Sequence, residues 1–83
     1  VFAAGYPAVG LTADGGSTWF LPRMIGLRRT QELFLTGRRV GAQEAREWGL
    51  VTSVVDTAED ADGEAERIAA RLAAGPTRAY GAV

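Results

Sequence analysis

The sequence predicts a mostly α-helical chain with one or two short strands, too few to close a sheet of its own. Three observations predict it. Glycines at positions 26, 37, 49 and 75 cut the chain into segments of helical length. Ala65, Ile68, Ala69, Leu72 and Ala73 recur at i, i+3, i+4, i+7 and i+8, one apolar helix face. Only "VFAA" and "LVTSVV" have strand character, and two short strands do not make a stable sheet. Such a chain must pack its apolar faces on something else.

Val1 to Ala4 reads as the end of a strand, closed by Gly5 and Pro7. Residues 8–16 read as a loop with permissive backbone at Gly10, Gly15 and Gly16. A short helix is expected from Ser17 to Ile25, with Pro22 tolerated or kinking it. A second is expected from Leu27 to Leu35, ended by Thr36-Gly37. In "GAQEAREWG", Gly41 stands at an N-cap place and Glu44 three residues later, the acidic half of a capping box. "LVTSVV" alternates as a half-buried strand does. Asp56 to Gly63 reads as an acidic loop or helix start, and Asp62 to Ala74 as the last clear helix, with Glu64 in reach of Arg67. Gly75-Pro76 breaks it, and Thr77 begins another turn.

Composition narrows the chemistry. There is no cysteine and no histidine, which removes disulfides, thiolate zinc sites and the commonest acid–base group. All nine basic residues are arginines, so a lysine Schiff base is excluded. A net charge of −1 without a basic stripe argues against nucleic acid. No apolar run approaches the roughly 20 residues of a membrane helix. The start "VFAAG" and the end "AYGAV" read as cut ends of a longer chain.

The stretch "LTADGGSTWFLPR" holds the main candidate. Asp14 fits a helix cap, a role worth about 1 kcal/mol. The local sequence favours that cap, and the other reading is a carboxylate base on a glycine loop that a substrate can approach closely. Arg38-Arg39 reads either as a phosphate clamp or as a solvated turn, and Trp48 as a packing anchor or a stacking platform. The acidic run Glu59, Asp60, Asp62, Glu64 and Glu66 lacks the ligand spacing of a calcium loop and reads as a solvated face. "AGYPAVG" lacks the lysine of a phosphate loop.

The motifs Gly15-Gly16, Leu21-Pro22-Arg23, Gly26, Leu35-Thr36-Gly37, Ala42 with Glu44-Ala45, Gly49-Leu50-Val51 and Val54-Val55 run in order along the chain, followed by "AAGPTRAYG". In this order they resemble the enoyl-CoA hydratase/isomerase (crotonase) family. The resemblance implies an α/β crotonase (ClpP/crotonase-like) fold in the parent protein. Residues 1–16 would end its core and form the active-site loop, and 17–83 would be a C-terminal helical region. It further implies an absent N-terminal core that supplies both oxyanion-hole amides and most coenzyme A contacts.

The family's hydratases use two carboxylates. One belongs to the absent part; the other lies eight residues before the Asp14 position, where this chain has Tyr6. Isomerase members carry an aspartate within "DGG", which Asp14 matches. The resemblance therefore favours double-bond isomerisation of an enoyl-CoA, with Asp14 catalytic and Tyr6, Gly15, Gly16 and Trp19 binding substrate. Related dehalogenases use an aspartate here as a nucleophile. No metal or cofactor is implied beyond the coenzyme A thioester substrate, and no membrane or nucleic-acid partner. The parent would be a cytoplasmic, bacterial homotrimer or dimer of trimers, and the isolated segment inactive. The competing expectation is a non-catalytic packing and oligomerisation module in which Asp14 only caps a helix.

Overall fold

A computed structural model describes residues 1–83. Strand β1 (Phe2–Ala3) leads into a 3₁₀ turn at Tyr6–Val9, with Pro7 fixing its first turn. Helices α1 (Ser17–Ile25) and α2 (Leu27–Thr36) follow, then β2 (Arg39–Val40), α3 (Ala42–Glu47), α4 (Ala58–Ala73) and α5 (Thr77–Tyr80). The two strands pair antiparallel, Phe2 opposite Val40 and Ala3 opposite Arg39. Mostly helical with one two-stranded ladder, the chain has the composition of elements that its sequence predicts.

The first half of the chain makes the core. Glycine at position 26 lets α2 turn back on α1, and these two helices pack on each other more extensively than any other pair. Ile25 from α1, Leu33 from α2, Val40 from β2 and Ala45 from α3 meet Ala4 beyond β1. Thr30 is also buried, and its hydroxyl donates to the Gly26 carbonyl at 2.9 Å, so no polar group is stranded there. Tyr6, Leu21, Phe34, Trp48, Leu50 and Val51 pack around this centre. α1 continues through Pro22, whose missing N–H removes one helical bond. Gly26 N–H still reaches the Pro22 carbonyl at 3.0 Å.

Helix α3 ends in a Schellman motif. Leu50 N–H donates to the Ala45 carbonyl at 2.8 Å and Gly49 N–H to the Arg46 carbonyl at 3.0 Å. This needs Gly49 at φ +79°, where a side chain would cost about 1–2 kcal/mol.

Three expectations are corrected. The segment 50–55 is not a strand. Leu50, Val51 and Val54 are half-buried, which does not follow the two-residue period of a strand face, and the segment pairs with neither β1 nor β2. The last long helix starts at Ala58, four residues before Asp62. Thr57 caps it, accepting from the Asp60 amide at 3.0 Å, and Glu59 and Asp60 then lie in the first turn, where the helix dipole favours anions. The acidic run is thus part of α4, and its Gly63 is helical. Finally, Glu44 caps nothing. Gly41 occupies the N-cap without a side-chain bond, and the Glu44 carboxylate turns to Arg38 instead.

Arg67 does meet Glu64, with contacts of 2.8 and 2.6 Å. α4 buries none of its residues, and Ile68 of its apolar face is only half-covered.

Candidate active site

The segment between β1 and α1 builds the candidate site. At its start the Tyr6 ring meets Phe34 of α2 edge-on, centroids 6.2 Å apart. Leu11 N–H closes the loop back on the Tyr6 carbonyl at 2.9 Å. Two hollows flank the Tyr6–Phe34 pair. One, of about 160 Å³, has walls of Phe2, Tyr6, Leu21, Leu33 and Phe34, with Ser17 as its single non-hydrophobic lining residue. The other, of about 280 Å³, lies between Tyr6, Leu11, Ala13 and Phe34 and includes Thr12 and Thr18.

Asp14 itself lines neither hollow; its neighbour Ala13 lines the larger one, and Ser17, three residues on, lines the apolar one. The Asp14 carbonyl accepts from the Ser17 amide at 3.0 Å and from Ser17 Oγ at 2.7 Å. Gly15 and Gly16 between them have φ of +59° and +75°, the two left-handed residues of a type I′ turn. Two glycines are what such a turn demands. The turn also decides the role of the Asp14 side chain. The N-cap of α1 is Gly16, and no side chain bonds the first-turn amides. The helix-cap reading of Asp14 therefore does not hold. The carboxylate is exposed and makes no hydrogen bond or ion pair within the chain.

The other sequence candidates are placed as follows. Tyr6 lines both hollows. Gly15 and Gly16 form the turn beside them, and a Cβ on Gly16 would press on the Phe20 ring at 3.3 Å. Trp19 is not in either hollow. It is 54% exposed, meets Phe20 edge-to-face with centroids 4.9 Å apart, and has the Arg23 guanidinium 3.8 Å above its ring and donating to its carbonyl at 2.8 Å. Phe34, Leu21 and Ser17 carried no signal as site residues, because what recruits them is the packing of α1 and α2 against the loop.

Arg38 is engaged in the scaffold. It donates to both Glu44 oxygens at 2.7 and 3.1 Å and to Glu32, and lies 4.8 Å from the Trp48 ring, with Arg29 at 5.0 Å. Trp48 is a packing anchor, and a guanidinium spent this way is not a free phosphate clamp. Hydrogen bonding to Glu44, then to Glu32, holds Arg38 charged well beyond the ordinary arginine range. The Arg38 hydrogen bond pulls the Glu44 carboxyl below its ordinary value of 4.5. A lowered carboxyl stabilises the fold above the unfolded-state value, and that contribution is lost as pH falls through the lowered one. In the natively folded protein, carboxyl ¹³C NMR is expected to give Glu44 a lower midpoint in the wild type than in Arg38→Gln. Equal midpoints would refute the clamp.

No group of three or more Asp or Glu side chains is arranged to hold a metal, and no helix is long and apolar enough to cross a membrane.

Comparison with known proteins agrees with this architecture. The chain is 42% identical over 82 residues to 4-chlorobenzoyl coenzyme A dehalogenase-1 of Arthrobacter sp, covering 99% of this chain and 29% of that protein. It is 39% identical over 82 residues to 1,2-epoxyphenylacetyl-CoA isomerase of Escherichia coli (strain K12), covering 99% and 31%. A crystal structure described as an enoyl-CoA hydratase/isomerase from Mycobacterium abscessus superposes with a TM-score of 0.84 at 43% identity, over 92% of this chain and 29% of that one. The chain thus spans just under a third of the length of these relatives, and it has the fold of the corresponding part of a crotonase-like protein. With the enoyl-CoA hydratase/isomerase model matching residues 1–83 throughout, the chain belongs to the enoyl-CoA hydratase/isomerase family.

Proposed function

We propose that the protein carrying this segment isomerises an enoyl-CoA thioester, with Asp14 as the base that takes a proton from one carbon and returns it to another. The observation that carries this reading is the Asp14 carboxylate itself. It is exposed on a glycine turn whose flanking residues, Ala13 and Ser17, each line a hollow, the one at Ser17 almost wholly apolar, and it has no structural partner to satisfy. A base of this kind must be free to accept a proton within reach of the substrate. In a 3-enoyl-CoA the hydrogen to be abstracted is on C2, between the thioester carbonyl and the C3–C4 double bond; its electron pair spreads onto the carbonyl oxygen as a dienolate, and return of the proton at C4 leaves the conjugated 2-enoyl thioester. Donors on the carbonyl oxygen stabilise the dienolate, and they would come from residues preceding this segment. Residues 1–16 then end the core and form the active-site loop, 17–83 form the helical region, and the assembly is a trimer or a pair of trimers. Hydration is disfavoured because Tyr6 stands where a second carboxylate would be needed.

A second reading is favoured by the likeness to the Arthrobacter dehalogenase. Here an Asp14 oxygen attacks the ring carbon that bears a halogen, halide leaves, and water cleaves the resulting ester. One assay separates the two. The longer protein is incubated with a 3-enoyl-CoA and, separately, with 4-chlorobenzoyl-CoA. Conversion to the conjugated 2-enoyl thioester without chloride release is the expected result; chloride release with no double-bond shift would overturn it in favour of the second reading.

A further inference from the structure

We propose that Ser17, which lines the apolar hollow, is a positioning residue that fixes the backbone carrying the Asp14 carboxylate. The inference rests on Asp14 being the reacting carboxylate, and it concerns what holds that group in place. The Asp14 carbonyl takes two hydrogen bonds, both from Ser17: Oγ at 2.7 Å and the amide at 3.0 Å. The Asp14 side chain takes part in none. Between the two residues lie Gly15 and Gly16, the softest backbone a chain can have. A Cβ added at Gly15 would meet nothing within 4 Å, so the turn is not wedged by packing there either. The turn is held by these bonds from Ser17 and by the Gly16 carbonyl, which accepts from the Trp19 and Phe20 amides at 2.9 and 3.0 Å; the Ser17 hydroxyl is the one side-chain group among these bonds.

Ser17 is itself well anchored. It is half-buried, begins α1, and is the one non-hydrophobic residue lining the hollow walled by Phe2, Tyr6, Leu21 and Phe34. One residue thus lines the apolar hollow and grips the backbone of the base. Loss of the hydroxyl leaves the amide bond, so the turn is loosened rather than unfolded, and the carboxylate samples positions away from the substrate.

The test uses the longer protein and a 3-enoyl-CoA. Ser17→Ala is expected to lower kcat by about 10- to 100-fold, the penalty of a misplaced reacting group, with little change in KM. Ser17→Thr keeps the hydroxyl and is expected to recover most of the rate. A purely structural role would instead lower the melting temperature and leave kcat per folded site unchanged. Wild-type kcat in Ser17→Ala, while Asp14→Asn is inactive, would overturn the positioning role and leave the base intact. An active Asp14→Asn would overturn the base reading and this inference with it. Hydrogen exchange supplies a readout that needs no turnover. Residues 14–18 are expected to exchange faster in Ser17→Ala with the rest of the protein unchanged, and equal exchange would refute the inference.

Discussion

Asp14→Asn is expected to lower turnover of a 3-enoyl-CoA by roughly 10²–10⁴-fold, the usual worth of a positioned proton-transfer group. The fold is expected to be untouched. The side chain is exposed and bonds nothing in the chain, so an isosteric amide breaks no contact. The two hydrogen bonds that form the turn are accepted by the main-chain carbonyl, which asparagine keeps. Asparagine also tolerates turn backbone as well as aspartate does. The substitution therefore removes one property, the capacity to accept a proton at carboxylate basicity. The measurement is kcat beside the melting temperature of the longer protein. A near wild-type rate at an unchanged melting temperature would remove Asp14 from the chemistry.

Much of this was legible in the sequence, for identifiable reasons. α1 begins at Ser17 and ends at Ile25 as expected, because its limits are set locally by Gly15-Gly16 and Gly26. α2 runs one residue past its expected end at Leu35 before Gly37 stops it. The 50–55 segment misled because pairing is not local. The alternation of apolar and polar residues is not matched by the burial, since Val51 and Val54, three residues apart, are the partly covered ones and no strand pairs with them. α4 starts before the apolar pattern predicts, because Gly63 interrupts its first turns, whereas Thr57 and the acids after it mark the true start. At the site, Asp14 and Tyr6 stand out through their positions in a family pattern. Phe34 does not, since its meeting with Tyr6 spans the chain from the loop to α2. The pairing of Arg38 with Glu32 and Glu44 likewise comes from the way β2 brings α2 and α3 together, which no helical spacing encodes.

The isolated 83-residue chain is expected to lack a cooperative thermal transition and to self-associate. Its radius of gyration is 15.4 Å, where a compact domain of this length would have about 12 Å. Only six residues are buried, which is too little core to offset the conformational entropy of ordering the chain. α4, the longest helix, buries none of its residues, so little within the chain supports it. Meanwhile Trp19, Phe20, Met24 and Leu27 are 54%, 56%, 47% and 61% exposed along α1 and the start of α2. A soluble monomer rarely presents so much contiguous apolar surface. In water this face is covered either by other copies or by a loosened packing that keeps helices while losing fixed side-chain contacts. Far-UV circular dichroism is then expected to remain helical while the near-UV signal of Trp19 and Trp48 is weak, with binding of a hydrophobic dye. Sedimentation equilibrium and calorimetry decide the matter. A strictly monomeric species that melts in one sharp transition would mean that the 83 residues close a core of their own, and that the exposed face of α1 needs no cover.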